Sequence, residues 1–219
     1  MLITFSGLDG AGKSSLIAWL KAELERRDRA VTVLHMNDDV GVYAYLQRVR
    51  DLLTGARRPP GAPRRDRAAA RSALRRVRDA VIWSKWVRRV LYPVDLLVFL
   101  CYRAYLEGLR GRVLITDRYF YDRLVDVAGD SGWRLLRVLF RLTPRPDVPI
   151  LLDVSPEESF ARKAEHSVPY LRERYMAYRS VFPWVGSPVI LASRDLEATK
   201  QTLSRVVLER LATPMAPAR

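Results

Sequence analysis

Cysteine and histidine are scarce in this chain, whose 219 residues include only Cys101, His35 and His166. A single cysteine cannot form an intrachain disulfide bond, and three such side chains make a structural zinc site a poor expectation. The most apolar run, from Val94 to Tyr102, is too short to span a bilayer. Because the chain leads straight into an apolar strand, we expect no signal peptide and a location in the reducing cytoplasm.

Acidic residues are also in the minority, since 24 of them face 38 lysines and arginines and the net charge is +14. Between residues 48 and 89, fourteen basic residues face three aspartates, so this segment carries most of the excess. Such a block is typical of a surface that binds anions or of a solvated basic face. The helical pattern within it predicts a basic helical insertion over residues 55–91.

The most informative motif is G-L-D-G-A-G-K-S, which runs from Gly7 to Ser14 and has the Walker A form G-x-x-x-x-G-K-S. Glycines let the backbone N–H groups of such a loop face phosphate oxygens. Lys13 is expected to reach the β- and γ-phosphates of ATP, and the Ser14 hydroxyl is expected to bind Mg²⁺. The predicted cofactor-binding residues are Gly7, Asp9, Gly10, Ala11, Gly12, Lys13, Ser14 and Ser15.

The flanking pattern predicts the fold. Apolar strands are expected at 2–5, 30–36, 112–116, 148–154 and 188–191, and helices are expected between them. This alternation predicts a three-layer α/β/α fold of the P-loop NTPase type, with a five-stranded parallel sheet and helices on both faces. We expect one domain over residues 1–212 and a disordered tail over 213–219.

Other elements of the prediction concern helix boundaries. A helix rich in arginine is expected from Arg67 to about Leu91, with Tyr92-Pro93 interrupting it. A strongly apolar helix is then expected from Asp95 to Leu109, ended by Gly111. Residues 120–142 look helical, and Ser155 followed by Pro156 is typical of a helix start.

In combination these motifs resemble the thymidylate kinase family of P-loop nucleoside monophosphate kinases, nearly end to end. The resemblance rests on the Walker A loop with its acidic third position, on L-V-F-L-C-Y-R ending at Arg103, on D-R-Y at Asp117 to Tyr119, and on L-D-V-S-P-E-E from Leu152. It implies a divergent member that uses ATP and Mg²⁺ to convert dTMP to dTDP. It also implies nucleotide substrates and a homodimer, whose contact we would seek on the helix 95–109.

The resemblance assigns a role to several residues. Arg103 and Arg118 would grip the acceptor phosphate, and Asp9 would touch the acceptor sugar or help to orient the metal. Gly10 stands where some relatives carry a catalytic arginine, so a short lid at about 162–174 would supply it from Arg162, Arg172 or Arg174. The predicted catalytic residues are Lys13, Asp9, Arg118 and Arg162; the acceptor-binding residues are Asp9, Phe99, Arg103, Asp117, Arg118 and Tyr119; the metal-binding residues are Ser14 and Asp117.

Several segments depart from the family pattern, and two of them bear on the acceptor. Residues 37–41, N-D-D-V-G, replace the usual signature after the second strand. Residues 120–123, F-Y-D-R, replace the small polar residues that line the thymine site in the family. A kinase of another acceptor, such as a nucleoside or a phosphorylated metabolite, therefore stays open. So does a nucleotide-dependent regulatory module that binds nucleic acid or an anionic membrane through the basic face 48–89, which we do not favour.

Structural roles compete with several of these assignments. Asp117 and Arg118 fit a structural ion pair as well as a site, and Phe99 fits the core of the protein. An unpaired guanidinium on an apolar helix is costly, which favours phosphate binding for Arg103. Neither His35 nor His166 is expected to take part in function.

Overall fold

The structure is a computed structural model that describes residues 1–36, 85–122, 138, 140–185, 187–192 and 195–212, with only the backbone of 85–92. The chain divides into two compact units, one of residues Met1–Met36 with Tyr102–Arg219 and one of Asn37–Cys101. The first unit contains the whole sheet. Of the sequence predictions, the loop signature at 37–41, the insertion as far as residue 84, Arg123 and the tail 213–219 lie outside the described residues.

Five parallel strands form the sheet, in the order β2-β3-β1-β4-β5. Their bounds are Leu2–Gly7 for β1, Val31–His35 for β2, Val113–Asp117 for β3, Val148–Asp153 for β4 and Val189–Ala192 for β5. The helices are α1 at Lys13–Glu25, α2 at Lys85–Ala104, α3 at Pro156–Arg162, α4 at Val168–Val181 and α5 at Leu196–Ala212. A π-helical turn, Tyr105–Leu109, extends α2, and a 3₁₀ turn, Phe182–Trp184, follows α4.

The core of the first unit lies between the sheet and its helices. Leu16 and Leu20 of α1 and Leu203 of α5 are almost completely buried in one cluster with the side chains of β1, β3 and β4. Strands buried on both faces read as continuous apolar runs, which is the pattern of β1 and β4. The predicted three-layer α/β/α fold of P-loop kinases is confirmed.

Helix α2 differs from the prediction. It runs without interruption from Lys85 to Ala104 through Pro93, so the break expected at Tyr92-Pro93 is wrong. Proline removes one helical N–H group, and Pro93 is exposed within the helix that it does not end. Among the described residues, no helix is long and apolar enough to cross a membrane.

Strand register places the functional segments at one edge of the sheet. Gly7 of β1 pairs with Leu152 of β4, and Phe5 pairs with Asp117 at the end of β3. The carboxyl ends of parallel strands lie together, and ligands of open α/β sheets bind there. The loop that follows β1 and the turn that follows β3 are therefore neighbours.

Candidate active site

The phosphate-binding loop connects β1 to α1 and packs tightly on its neighbours. A Cβ atom at Gly7 would lie 2.8 Å from the carbonyl oxygen of Leu152, and Gly7 has φ +139°. A Cβ atom at Gly10, where φ is +89°, would lie 2.7 Å from the carbonyl oxygen of Ser159 in α3. Only glycine suits both positions, so α3 occupies the space that a side chain at Gly10 would need.

Lys13 is the first residue of α1 and is buried, with only 7% of its side chain exposed. Its Nζ donates hydrogen bonds to the carbonyl oxygens of Gly7, at 3.0 Å, and Leu8, at 2.7 Å. The same atom lies 3.9 Å from Asp9 Oδ1. Burial, together with repulsion from Arg118, lowers the pKa of Lys13. The ammonium group therefore lies inside the loop, next to the N-terminus of a helix where anions bind.

Arg118 reaches this loop from the other side. Its guanidinium forms an ion pair with Asp9, and its backbone N–H donates to the carbonyl oxygen of Phe5 at 2.8 Å. Burial opposes the charge of Arg118, but the carboxylates of Asp122 and Asp9 outweigh it and raise the pKa of the guanidinium. Burial would raise the pKa of Asp9 too, yet attraction to Arg118 and Lys13 lowers it overall. Asp9 is therefore held as a carboxylate between two cations.

Two further contacts to Asp9 come from residues that the sequence interpretation did not assign to the site, although the second of them lies within the predicted lid at 162–174. The Ser159 hydroxyl donates to the Asp9 backbone carbonyl, and His166 Nε2 lies 3.5 Å from Asp9 Oδ2. The expectation that His166 has no part in the site therefore does not match its position. The spacing of His166 from the loop, more than 150 residues, gave no signal for this contact.

Asp117 ends β3 beside the same loop. Its Oδ2 lies 3.3 Å from His35 Nδ1, so the second histidine of the chain also contacts a carboxylate of the site. Its Oδ1 is buried and has no hydrogen-bond partner among the residues that the structure describes. The hydroxyl-bearing Ser14 is exposed in the first turn of α1. An unpaired carboxylate oxygen and an accessible hydroxyl are the hard ligands that Mg²⁺ takes, so these residues fit the predicted metal.

The three arginines of the predicted lid differ in position. Arg162 is exposed at the end of α3, and Arg172 is bound to Glu157 at 2.7 Å. Arg174 of α4 is half-buried and donates to the Tyr170 hydroxyl at 3.1 Å. Its positive charge contributes to the low pKa of Asp9. The charge of Arg174 therefore acts on the phosphate-binding loop.

Arg103, one of the predicted acceptor residues, is not brought to the loop. Arg103 Nε contacts Glu107 at 3.0 Å, and its NH2 lies 3.3 Å from Asp147 Oδ2, the oxygen that accepts the Leu2 N–H at 2.6 Å. Arg103 therefore lies at the amino-terminal edge of the sheet, where β1 begins, opposite the loop. Glu107 and Asp147 offset the charge of Arg103, the role that we had expected a bound phosphate to take.

The aromatic residues predicted for the acceptor are buried. Tyr119 is 1% exposed, donates its hydroxyl to the Pro144 carbonyl at 2.8 Å, and packs edge-to-face on Phe120 and Tyr121. Phe99 of the other unit is completely buried as well. Their positions favour packing roles, the alternative that the sequence analysis left open for Phe99.

A strand, a glycine-rich loop and a helix, with a lysine inside the loop, define the phosphate-binding fold of P-loop kinases. No protein-family model matches the chain. A thymidylate kinase of Chlorobium luteolum is 31% identical over 189 residues, which cover 77% of this chain and 70% of that protein. A probable thymidylate kinase of Thermococcus kodakarensis is 26% identical over 94% of this chain and 97% of its own length. The chain belongs to the thymidylate kinase family, and this relationship supports a nucleotide kinase.

Proposed function

We propose that this chain transfers the γ-phosphate of ATP to a nucleoside monophosphate in the cytoplasm, and that its acceptor is dTMP. The observation that carries the proposal is the approach of Lys13 and Arg118 to Asp9 from two sides, at the carboxyl edge of the sheet. Two nucleotides repel each other through their phosphates. Phosphoryl transfer is mainly positioning and charge stabilisation, for which opposed cations are suited.

Each side of the site takes one substrate in this proposal. The loop amides and Lys13 hold the β- and γ-phosphates of the donor, while Arg118 grips the acceptor phosphate through two parallel N–H groups. Asp9 keeps Arg118 oriented and contacts the acceptor sugar. Ser14 and Asp117 would hold Mg²⁺, which when bound neutralises charge on the transferring phosphoryl group.

The lid contributes further positive charge. Arg162 was the arginine chosen from the sequence, and it remains a candidate at the end of α3. Arg174 is the stronger candidate, because its charge acts on both Asp9 and Arg118. Arg174→Gln is therefore expected to lower turnover more than Arg162→Gln, with Arg172→Gln, which loses only an exposed pair with Glu157, as the matched control.

A kinase of another acceptor is the second candidate. Phe120, Tyr121 and Asp122, which stand where the family usually shows small polar residues, are each at most 3% exposed. Bulky buried residues at this position favour an acceptor site that differs from that of a standard thymidylate kinase. The donor side of the proposal is the same for either acceptor.

An acceptor panel decides between the two. The chain is incubated with ATP and Mg²⁺ and with dTMP, other nucleoside monophosphates, nucleosides or sugar phosphates, and products are identified by phosphorus NMR. Conversion of dTMP to dTDP above all other acceptors supports the proposal. Selective phosphorylation of another molecule favours the second candidate, and ATP turnover without any phosphorylated product argues against both.

We also propose that the homodimer implied by the family resemblance forms through α2. Val94, Leu97, Val98 and Cys101 are exposed on this helix at positions i, i+3, i+4 and i+7, and so share one face. An exposed apolar face of this kind is typical of a protein interface. A second copy of the chain suits it, because the same face on both copies is self-complementary about a twofold axis.

A further inference from the structure

A buried carboxylate behind the candidate site has no role in the function proposed so far. Asp122 is 3% exposed and lies in a helical turn that begins at Phe120, just after the turn that carries Arg118. Burying a charged group is costly unless hydrogen bonds compensate for the lost water. We therefore expect Asp122 to accept hydrogen bonds, and the residues that donate them indicate its role.

Asp122 accepts three hydrogen bonds from three different elements. Its Oδ2 accepts from the Ser6 hydroxyl of β1 at 2.7 Å and from the Tyr119 backbone N–H at 2.8 Å. Its Oδ1 accepts from the Tyr178 hydroxyl of α4 at 2.5 Å. Ser6, Tyr119 and Tyr178 are each at most 2% exposed. One carboxylate thus joins the strand before the loop, the turn after β3 and the helix that carries Arg174.

The turn that Asp122 holds contains a strained residue. Arg118 has φ +65°, in the left-handed region that residues other than glycine rarely adopt. Such a conformation persists only where the surroundings enforce it. The Arg118 N–H is fixed to Phe5, and the next N–H, that of Tyr119, is fixed to Asp122. These two bonds, one on either side of the Arg118 Cα atom, set the direction of its side chain.

We propose that Asp122 is a positioning residue, which holds the turn after β3 in its left-handed conformation and so aims the Arg118 guanidinium at Asp9 and the acceptor phosphate. Tyr178 connects α4 to this turn, because its hydroxyl donates a hydrogen bond to the same carboxylate. A carboxylate suits this position, since it accepts from all three donors. A carboxamide has a single accepting oxygen and carries no charge.

The Tyr178 hydroxyl keeps its proton in this contact. Burial, with the negative charge of Asp122, raises the pKa of Tyr178 well above its ordinary value. The Tyr178 hydroxyl therefore remains a hydrogen-bond donor. The charge of Asp122 also favours the cationic form of Arg118.

The kinetic part of this inference rests on the proposed function, so its test combines one measurement without substrate and one with substrate. Amide exchange at Tyr119, followed by NMR, needs no acceptor. We expect Asp122→Asn to speed this exchange about tenfold and Tyr178→Phe about threefold. Tyr175→Phe is the matched control on the same helix, because its hydroxyl accepts an exposed hydrogen bond from Arg179, and exchange should stay within about twofold of the unmodified chain.

The second measurement is kcat/KM for the acceptor that the panel identifies. Asp122→Asn should lower it about tenfold, mostly through KM for the acceptor. In an Arg118→Lys background the same change should lower kcat/KM by less than about twofold, because the guanidinium that Asp122 positions is already absent. A purely structural role would instead give equal losses in the two backgrounds.

The two proposals fail in different ways. Absence of turnover with every acceptor would contradict the kinase function, while the exchange at Tyr119 would still decide whether Asp122 holds the turn. Unchanged exchange in Asp122→Asn, or equal kinetic losses with and without Arg118→Lys, would overturn the positioning role. Should Asp122→Asn fail to fold, Tyr178→Phe carries the same two measurements.

Discussion

Arg118 and Asp9 form an ion pair between positions 109 apart in the sequence. Asp9 lies in the loop after β1 and Arg118 in the turn after β3, at the carboxyl edge of the sheet. Both side chains are partly buried, with 24% of Asp9 and 14% of Arg118 exposed. Lys13 approaches the same oxygen of Asp9 at 3.9 Å. This carboxylate is the point at which the two cations of the candidate site meet.

The left-handed conformation of Arg118 should make glycine more stabilising than alanine at this position. Both Arg118→Gly and Arg118→Ala remove the guanidinium and should abolish acceptor binding. Because φ is +65°, the glycine variant should unfold with a free energy about 1 kcal/mol higher than the alanine variant. Urea denaturation measures this difference.

Arg110 supplies the control for that comparison, since it has φ −103°. There the order should be absent or reversed, with alanine at least as stable as glycine. If alanine were also the more stable residue at position 118, the left-handed conformation of the turn would be contradicted.

Asp9 should make stability depend on acid pH. Its pKa lies below the ordinary value of 3.8, because Arg118 and Lys13 outweigh burial. The stabilisation by the ionised carboxylate is therefore complete above the unfolded pKa and is lost as pH falls through the lower folded pKa. The difference in unfolding free energy between the unmodified chain and Asp9→Asn should shrink as pH falls below the ordinary pKa of 3.8 and through the lower folded pKa. A difference that stays constant over this range would show that the ion pairs do not stabilise the carboxylate.

Arg103 should matter for stability and not for catalysis. Arg103→Met takes the guanidinium away from Glu107 and Asp147 at the amino-terminal edge of the sheet, where Glu107 keeps the N-terminal amine and Asp147 keeps the Leu2 N–H. We expect the unfolding free energy to fall by about 1 to 3 kcal/mol, because partly buried carboxylates lose a charged donor. KM for the acceptor should remain unchanged. A large rise in KM with normal stability would restore the phosphate-binding role inferred from the sequence.

The exposed face of α2 should control the oligomeric state. Leu97 is 62% exposed, and Leu97→Glu places a charge on the proposed twofold contact. Sedimentation velocity should find a dimer for the unmodified chain and a monomer for this variant. Met176→Glu is the control, since Met176 is 67% exposed on α4. If the unmodified chain is a monomer, the proposed dimer does not form. If Leu97→Glu remains a dimer, the subunit contact does not lie on this face of α2.

Local sequence patterns were sufficient to predict the fold. Each strand is an apolar run followed by polar residues, and the Walker A loop specifies the β1–α1 connection. Ser155 also accepts the Glu158 N–H at 3.2 Å, as its place before Pro156 predicts. These features depend on neighbours within a few residues, which a sequence displays directly.

Contacts between distant segments were not predictable in the same way. Tyr178 and Asp122 are 56 positions apart, and Asp147 and Arg103 are 44 apart. Nothing local marks either pair. Arg103 and Glu107 are four positions apart, a spacing that is typical of an ion pair on a helix. This spacing was a sequence signal for the structural role of Arg103.

The initial rate of ADP formation from ATP and Mg²⁺, with and without dTMP, tests the central claim most directly. The account predicts a rate that depends on dTMP, falls at least about a hundredfold in Lys13→Ala, and loses its saturation by dTMP in Arg118→Lys. Arg110→Lys, which exchanges an exposed arginine, should behave as the unmodified chain. A rate that does not depend on dTMP, or one that is unchanged in Lys13→Ala, would contradict the transfer of a phosphoryl group from ATP to dTMP at this site.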